Sequence, residues 1–209
     1  FVLYKPKDIV AGDFYWMEVI QFSNSQIFIA ACDSTGHGVP CAMMSVVCSN
    51  ALNRAVKEFG MRDTGKILDK VTDLVLETFE RSSSAVQDGM DISLISFQFP
   101  VHSLRLDNEG NPNSKPQTEN RKPIVQWSGA NNPLWYIQNE ELIEIKADKQ
   151  PIGKFDKRKP FTTHSVDLGT QNPEPETIFY LFTDGLADQF GGPNGKKFRY
   201  RQFEEKLTA

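Results

Sequence analysis

Two aspartates stand at the ends of a segment whose pattern predicts an antiparallel β-hairpin. Residues 13–22 are rich in aromatic and β-branched side chains, residues 26–32 are almost entirely apolar, and a Ser-Asn-Ser turn separates the two runs. Runs of this kind around a short polar break are typical of paired strands. Because the turn lies midway between Asp13 and Asp33, we expect both carboxylates at one end of the hairpin, with Cα atoms about 5 Å apart.

Carboxylates this close to each other repel unless a positive charge lies between them. Gly12 and Gly36 stand beside or near the two aspartates, and glycine lets the backbone approach a ligand closely. Because hard divalent cations prefer oxygen ligands, the pair indicates a metal site formed by Asp13 and Asp33. A pair of turn aspartates at hairpin ends is the alternative that the pattern leaves open.

A third acidic residue, Asp184, follows the apolar run of residues 178–182 and precedes Gly185. A carboxylate placed after a buried strand is held on a rigid element, as a functional site requires. A strand-end aspartate that caps the next turn has the same pattern. Asp88 and Asp91 could supply further ligands, but turn chemistry explains them equally well.

Other kinds of catalytic site have little support in the sequence. Of three histidines, only His37, between two glycines near a predicted helix start, is placed for chemistry, and loop packing explains it as well. The chain has no GxSxG elbow, no GxxxxGK[ST] loop and no CxxxxxR segment, which argues against an acyl-transfer triad, a P-loop and a cysteine-dependent phosphatase. Three cysteines without a CxxC pair argue against zinc and favour reduced thiols in the cytoplasm.

Two helices are predicted to follow the hairpin. Pro40 suits a first helical position, and Gly60 can end the first helix in a left-handed conformation. Over residues 39–59 apolar side chains recur at steps of three and four, which predicts one buried face formed by Val39, Ala42, Met43, Val46, Val47, Ala51, Ala55, Val56 and Phe59. We assign Met43 and Met44 to the core. Over residues 63–79 the buried stripe is predicted to be Ile67, Leu68, Val71, Leu74, Val75 and Phe79.

The second half of the chain predicts short strands. They cover residues 92–99, 124–128, 134–138, 142–145 and 178–182, with Asn139 and Glu140 at a hairpin tip. Residues 107–122 contain no apolar side chain and are predicted to form a solvated loop. Helices followed by many strands indicate an α+β fold with helices packed on antiparallel sheets.

Composition limits the possible functions. A chain of 209 residues with a net charge of −4 is expected to form one domain, and it lacks the clustered basic residues of nucleic-acid or membrane-surface binders. It has no apolar run of about 18 residues, so we expect no membrane insertion.

Four motifs follow one another along the chain: GDFYW at residues 12–16, DSTGHGVP at 33–40 with MMS at 43–45, SGANNPL at 128–134, and FTDG at 182–185. In this order and spacing, over nearly the whole chain, they resemble the SpoIIE-like branch of the metal-dependent (PPM, type 2C) serine/threonine protein phosphatases. The resemblance implies a four-layer αββα sandwich of two antiparallel sheets flanked by helices. It also implies a binuclear Mn²⁺ or Mg²⁺ centre at one edge of the sandwich.

Carried over by motif, the resemblance implies that Asp13 and Asp33 are metal ligands, with Asp33 bridging, and that Asp184 binds the second ion. The backbone carbonyl of Ser34 would complete the first site. A metal-bridging hydroxide would then attack phosphorus in line, with no phosphoenzyme. The family's final strand carries a further aspartate, and we expect that strand to lie outside these 209 residues. Thr35 occupies the position at which eukaryotic relatives have a histidine. No motif identifies a phosphate-binding arginine.

The function implied is hydrolysis of phosphoserine or phosphothreonine on a bacterial signalling partner, such as a STAS-domain anti-sigma-factor antagonist. The domain would be the C-terminal output of a longer cytoplasmic protein with upstream sensor domains. One alternative is a pseudophosphatase that acts as a regulated binding module with incomplete metal sites. Another is a metal-dependent hydrolase of small phosphorylated molecules that shares the same three aspartates.

Overall fold

The chain folds into antiparallel sheets with helices on their outer faces. A computed structural model describes residues 1–6, 11–21, 25–35, 38–80, 89–99, 123–168, 177–191 and 195–208. Its strands are β1 (Phe14–Ile20), β2 (Ser25–Ser34), β3 (Met90–Phe99), β4 (Ile124–Ala130), β5 (Leu134–Gln138), β6 (Glu141–Ile145), β7 (His164–Val166), β8 (Thr177–Tyr180), β9 (Phe190–Gly191) and β10 (Lys196–Lys197). Its α-helices are α1 (Val39–Asn53), α2 (Thr64–Glu80) and α3 (Arg199–Leu207).

Two sheets form the centre of the fold. The larger has the strand order β1-β2-β3-β4-β7 and the smaller the order β6-β5-β8, and every neighbouring pair is antiparallel. Strands β9 and β10 form a separate short hairpin.

Three apolar clusters divide the fold into four layers. Alternate residues of β2, including Phe28 and Cys32, pack with α1 and α2 on one face of the larger sheet. Ile95, Trp127 and Leu134 belong to a second cluster, which lies between the two sheets. Trp135, the neighbour of Leu134, points the other way and packs on Phe203 of α3 at a ring distance of 5.5 Å. The predicted αββα sandwich is therefore confirmed.

The predicted strands agree with the structure to within two residues at most of their ends. The hairpin tip at Asn139 and Glu140 is confirmed, and both residues adopt positive φ values of 53° and 64°. The predicted strand over residues 178–182 is corrected to β8, which ends at Tyr180 and is only half-buried. The predicted loop over residues 107–122 lies outside the described residues.

The prediction for the first helix was right in extent and right for only part of its buried face. A π-helical turn over Arg54–Glu58 follows α1 directly, and Gly60 closes the segment with a φ of 63°. Met44 is buried as predicted, but Met43 is 67% exposed, and Val39, Val46 and Phe59 are exposed as well. Ala51, Ala55 and Val56 are buried as predicted, and the buried face also contains Cys41, Cys48 and Leu52. Apolar residues occur all around this helix, so their spacing does not identify its inner face.

The second helix matches its prediction. In α2, Ile67, Leu68, Val71, Leu74 and Val75 are buried, and Phe79 packs at the edge of the same cluster. Its polar residues occupy a separate face, which is why the periodicity was decisive here. Among the described residues, no helix is both long enough and apolar enough to cross a membrane.

We expect Gly129→Ala to destabilise the fold by about 2–3 kcal/mol, because an added methyl group would overpack the core. A Cβ at this position would lie 2.5 Å from the backbone oxygen of Asn132 and 2.5 Å from the ring of buried Trp127. Gly191→Ala is the control, since no described atom lies within 4 Å of its Cβ position. Urea unfolding followed by tryptophan fluorescence measures both, and equal stability of the two variants would contradict the packing.

Candidate metal centre

A row of polar residues crosses the end of the larger sheet. The β1–β2 register pairs Phe14 with Cys32, so the next residues, Asp13 and Asp33, oppose each other. The Ser34 amide donates to the Gly12 carbonyl at 3.4 Å, which extends the pairing beyond the two aspartates. The midpoint prediction for this hairpin is confirmed.

The same row continues into the next two strands. Asp33 pairs with Asp91 across β2 and β3, so it lies between two other aspartates. Because Ile92 pairs with Ala130, Asn131 comes beside Asp91, and its Nδ2 donates to Asp91 Oδ1 at 2.8 Å. Asp33 and Asp91 alternate with residues that face the helices, so both lie on the face toward the second sheet.

Asp184 reaches this row from the smaller sheet. It follows β8 by four residues, and the preceding Thr183 hydroxyl donates to Asp13 Oδ2 at 3.0 Å. The next residue, Gly185, lies so close that an added Cβ would be 3.1 Å from the same Asp13 oxygen. The structure therefore brings together Asp13, Asp33 and Asp184, which sequence spacing alone connected only in part.

Ser45 of α1 fastens the helix to both strands that carry the first two aspartates. Its hydroxyl lies 2.7 Å from the Gly12 carbonyl, 3.2 Å from the Ser34 hydroxyl and 3.1 Å from the Cys41 carbonyl. The Cys41 thiol donates to the Ser34 carbonyl at 3.0 Å. That carbonyl, predicted as a metal ligand, thus already accepts one hydrogen bond, although a carbonyl oxygen has a second lone pair.

The surroundings of Asp33 oppose its ionisation. Burial first, and then the nearby carboxyl of Asp13, raise its pKa to about 8. The Asp33 carboxyl lies within hydrogen-bonding reach of both Asp13 and Asp184, and Asp184 and Asp91 add further negative charge. A carboxyl group so placed keeps its proton at neutral pH unless a cation replaces it.

Two other carboxyl groups of the cluster are affected in the same direction. Burial raises the pKa of Asp91, and the Asn131 amide partly offsets this. Burial also raises the pKa of Asp184, with Asp188 and Asp13 adding to the effect and Lys197 opposing it. Lys197 itself is 2.6 Å from Asp188 Oδ1. No described salt bridge therefore neutralises Asp13, Asp33, Asp91 or Asp184 directly.

The donor set fits a hard divalent cation. It consists of carboxylate oxygens with one nearby backbone carbonyl, which suits Mg²⁺ or Mn²⁺ better than zinc or copper. The carboxyl groups influence one another's pKa, but their oxygens do not yet surround a common point. Among the described residues, no three acidic, histidine or cysteine side chains already enclose a position for an ion. A bound cation would neutralise the carboxylates and draw their oxygens toward it.

The remaining candidates, with the other histidines and the cysteines, differ in where they lie. Asp91, for which turn chemistry was an equal explanation, lies within the cluster. His164 packs its ring on Trp127 at 5.4 Å, away from the aspartates along β4. Asp88, His37 and His102 lie outside the described residues. The three cysteines are buried, and none of them forms a disulfide.

Tyr200 was missed by the sequence analysis. Its ring lies 6.1 Å from both Trp135 and Phe182, which places it near the segment that carries Asp184. Burial raises the pKa of its hydroxyl, as do four carboxyl groups, led by that of Asp184. No motif signals this residue, because it reaches the cluster only through the packing of α3.

Sequence comparison identifies no relative: no family model matches the chain, and no curated protein matches it significantly. Solved structures do match. The SiaA-PP2C domain of Pseudomonas aeruginosa is 28% identical, with a TM-score of 0.71, over 100% of this chain and 70% of that one. The Bacillus subtilis SpoIIE structure, a PP2C phosphatase domain with a fragment of the regulatory domain, is 14% identical over 97% of this chain and 48% of that one, with a TM-score of 0.62.

A third match is RsbX, which was solved in complex with magnesium. It is 14% identical, covers 98% of this chain and 82% of that one, and has a TM-score of 0.52. At this level of identity RsbX and SpoIIE show a shared fold, whereas the SiaA domain is similar in sequence as well.

We expect the free energy of unfolding of the metal-free protein to fall as pH rises from about 4 to 8. The folded-state pKa of Asp33, about 8, lies above its unfolded value, so the folded state binds more protons in this interval. The stability is complete below the unfolded pKa and is lost as pH rises through the folded one. Since the group is partly exposed, we expect a change of only about 1–2 kcal/mol.

Urea unfolding in EDTA at several pH values measures this dependence. Asp33→Asn should flatten it and make the metal-free protein more stable at pH 8. Asp156→Asn, in an exposed loop, is the matched control and should leave the slope unchanged. A slope of the opposite sign, or one that Asp33→Asn does not alter, would contradict the described electrostatics.

Proposed function

Because the chain is a SpoIIE-like member of the PPM (type 2C) phosphatases, we propose that it removes phosphate from phosphoserine and phosphothreonine of a bacterial signalling protein. The observation that carries this proposal is the meeting of Asp13, Asp33 and Asp91, from three neighbouring strands, with Asp184 from the other sheet. We propose Mn²⁺ or Mg²⁺ as the cofactor, in a binuclear centre. The magnesium complex of RsbX, which shares the fold, supports this choice.

Four carboxylates are the residues that would hold the ions. Asp33 lies between Asp13 and Asp91 and is within reach of Asp184, so it is the group best placed to be shared by two ions. When bound, such ions activate water and neutralise the charge of the transferred phosphoryl group. Thr183 would orient Asp13 through its hydrogen bond, and Asn131 would orient Asp91 in the same way.

The position of the domain in a larger protein is also a proposal. We propose a cytoplasmic output domain controlled by upstream sensor domains, with a STAS-type phosphoprotein as its partner. The SpoIIE structure, whose chain contains part of a regulatory domain, supports a multidomain arrangement. The Ser45 hydroxyl links α1 to the Gly12 carbonyl and the Ser34 hydroxyl by hydrogen bonds, so a shift of α1 would reach the neighbouring Asp13 and Asp33.

A pseudophosphatase that only binds its partner is the second candidate, because the described carboxylates do not enclose an ion without adjustment. It shares the fold and the partner class but predicts no turnover with any divalent cation. A hydrolase of small phosphoesters shares the site but predicts no preference for a phosphopeptide over a small substrate.

Hydrolysis of p-nitrophenyl phosphate and of a phosphoserine peptide, each with Mn²⁺, Mg²⁺ or EDTA, tests the proposal. We expect metal-dependent turnover of both substrates. Asp33→Asn should reduce kcat by at least about 10³-fold, since a bridging ligand supports several kcal/mol of transition-state stabilisation. Asp156→Asn should hydrolyse p-nitrophenyl phosphate at the wild-type rate.

Activity that survives EDTA, or near wild-type turnover of Asp33→Asn, would refute the metal-dependent role. Circular dichroism of Asp33→Asn checks that a loss of activity does not come from unfolding. Absence of turnover, together with binding of the phosphopeptide, would favour the pseudophosphatase.

A further inference from the structure

A basic loop begins at the end of the larger sheet where the carboxylate cluster lies. We define it as residues 151–160, which contain Lys154, Lys157, Arg158 and Lys159 but only one acidic residue, Asp156. The whole chain carries a net charge of −4, whereas this loop carries an excess of positive charge. Lys154, Lys157 and Lys159 are all exposed.

Backbone pairing places the start of this loop beside the cluster. The amide and carbonyl of Ile152 both bond to those of Met90, at 2.8 and 2.9 Å, and Met90 precedes Asp91. Just before the loop, the Asp148 carbonyl accepts from the amide of Asn131, the residue that binds the Asp91 carboxylate. Lys154 is only two residues beyond Ile152, so its Cα is at most about 7 Å further along the chain.

The loop is held in shape at its base. The buried side chain of Gln150 accepts from the Lys159 amide at 2.9 Å and donates to the Lys159 carbonyl at 2.7 Å. Asp148 accepts both the amide and the hydroxyl of Thr162, at 2.7 and 3.1 Å. The tip residues Lys154 and Lys157 are therefore carried by a closed loop rather than by a free segment.

Arg158 differs from its neighbours because it is used within the fold. It lies 2.7 Å from Asp73 Oδ1 and donates to the Asp69 carbonyl at 3.0 Å, which anchors the loop to α2. Lys154 and Lys157 have no acidic partner among the described residues, and the aromatic ring of Phe155 between them is 40% exposed. Because the backbone of the loop is held at its base, binding of an anionic partner by these lysines costs little backbone freedom.

We propose that the basic loop binds an acidic segment of the phosphoprotein substrate and thereby sets the sequence preference of the site. The inference rests on the proposed phosphatase function. A phosphoserine approaches a cluster of aspartates that repels it, so attraction beside the cluster favours productive encounter. An extended peptide advances about 3.3 Å per residue, so acidic side chains three to five positions from the phosphoserine would reach about 10–17 Å from it.

The test compares two phosphoserine peptides of the same length. One has Asp and Glu three to five positions from the phosphoserine on both sides, and the other has Asn and Gln there. We expect the full chain to show a kcat/KM about fivefold higher for the acidic peptide, and the preference should shrink as salt is added. The double variant Lys154→Glu, Lys157→Glu should lose the preference while hydrolysing p-nitrophenyl phosphate at the wild-type rate.

Lys206→Glu, on the last turn of α3, is the charge-reversal control and should keep the preference. Equal kcat/KM for the two peptides, or a preference that survives the double variant, overturns the proposal while the phosphatase function stands. If neither peptide is hydrolysed, the proposed function fails, and fluorescence anisotropy of labelled peptides still decides the docking role. Tighter binding of the acidic peptide that the double variant abolishes supports the basic loop, and equal binding overturns it.

Discussion

The mutual repulsion of carboxylates at the strand ends is the constraint on which the rest of the structure depends. Asp33 faces Asp13 on one side and Asp91 on the other, and Asp184 reaches it from the second sheet. Two such charges about 5 Å apart repel by the order of 3 kcal/mol at an effective dielectric constant near 20, before solvent screening lowers this. A fold that keeps these groups together without described cationic partners favours binding of protons or of a metal cation.

The fold holds the carboxylates in place through backbone pairing rather than through their own contacts. The ladder between β1 and β2 fixes the opposition of Asp13 and Asp33, and the ladder between β2 and β3 fixes that of Asp33 and Asp91. Side-chain hydrogen bonds from Ser45 and Thr183 then tie α1 and the second sheet to the same point. The backbone ladders thus hold the carboxylates close to one another in spite of their mutual repulsion.

Sequence patterns predicted those parts of the site that depend on local pairing. The hairpin around residues 22–24 has a short connection, so its register follows from the midpoint and brings Asp13 to Asp33. Asp91 could not be placed in the same way, because two helices separate β2 from β3 and no turn sets their register. The position of Tyr200 was hidden for a similar reason, since α3 is strongly polar and its place follows from tertiary packing, such as that of Phe203 and Leu207. The buried face of α1 could be predicted only in part, because apolar residues occupy every side of the helix.

Crystals soaked in Mn²⁺ test the central claim most directly, because anomalous scattering at the manganese edge locates each ion without reference to activity. The account predicts manganese between the two sheets, in contact with the carboxylates of Asp13 and Asp33, with any second ion contacting Asp184. Manganese found elsewhere, or carboxylates of Asp13 and Asp33 that remain bonded to each other or to Lys and Arg side chains under saturating metal, would contradict it.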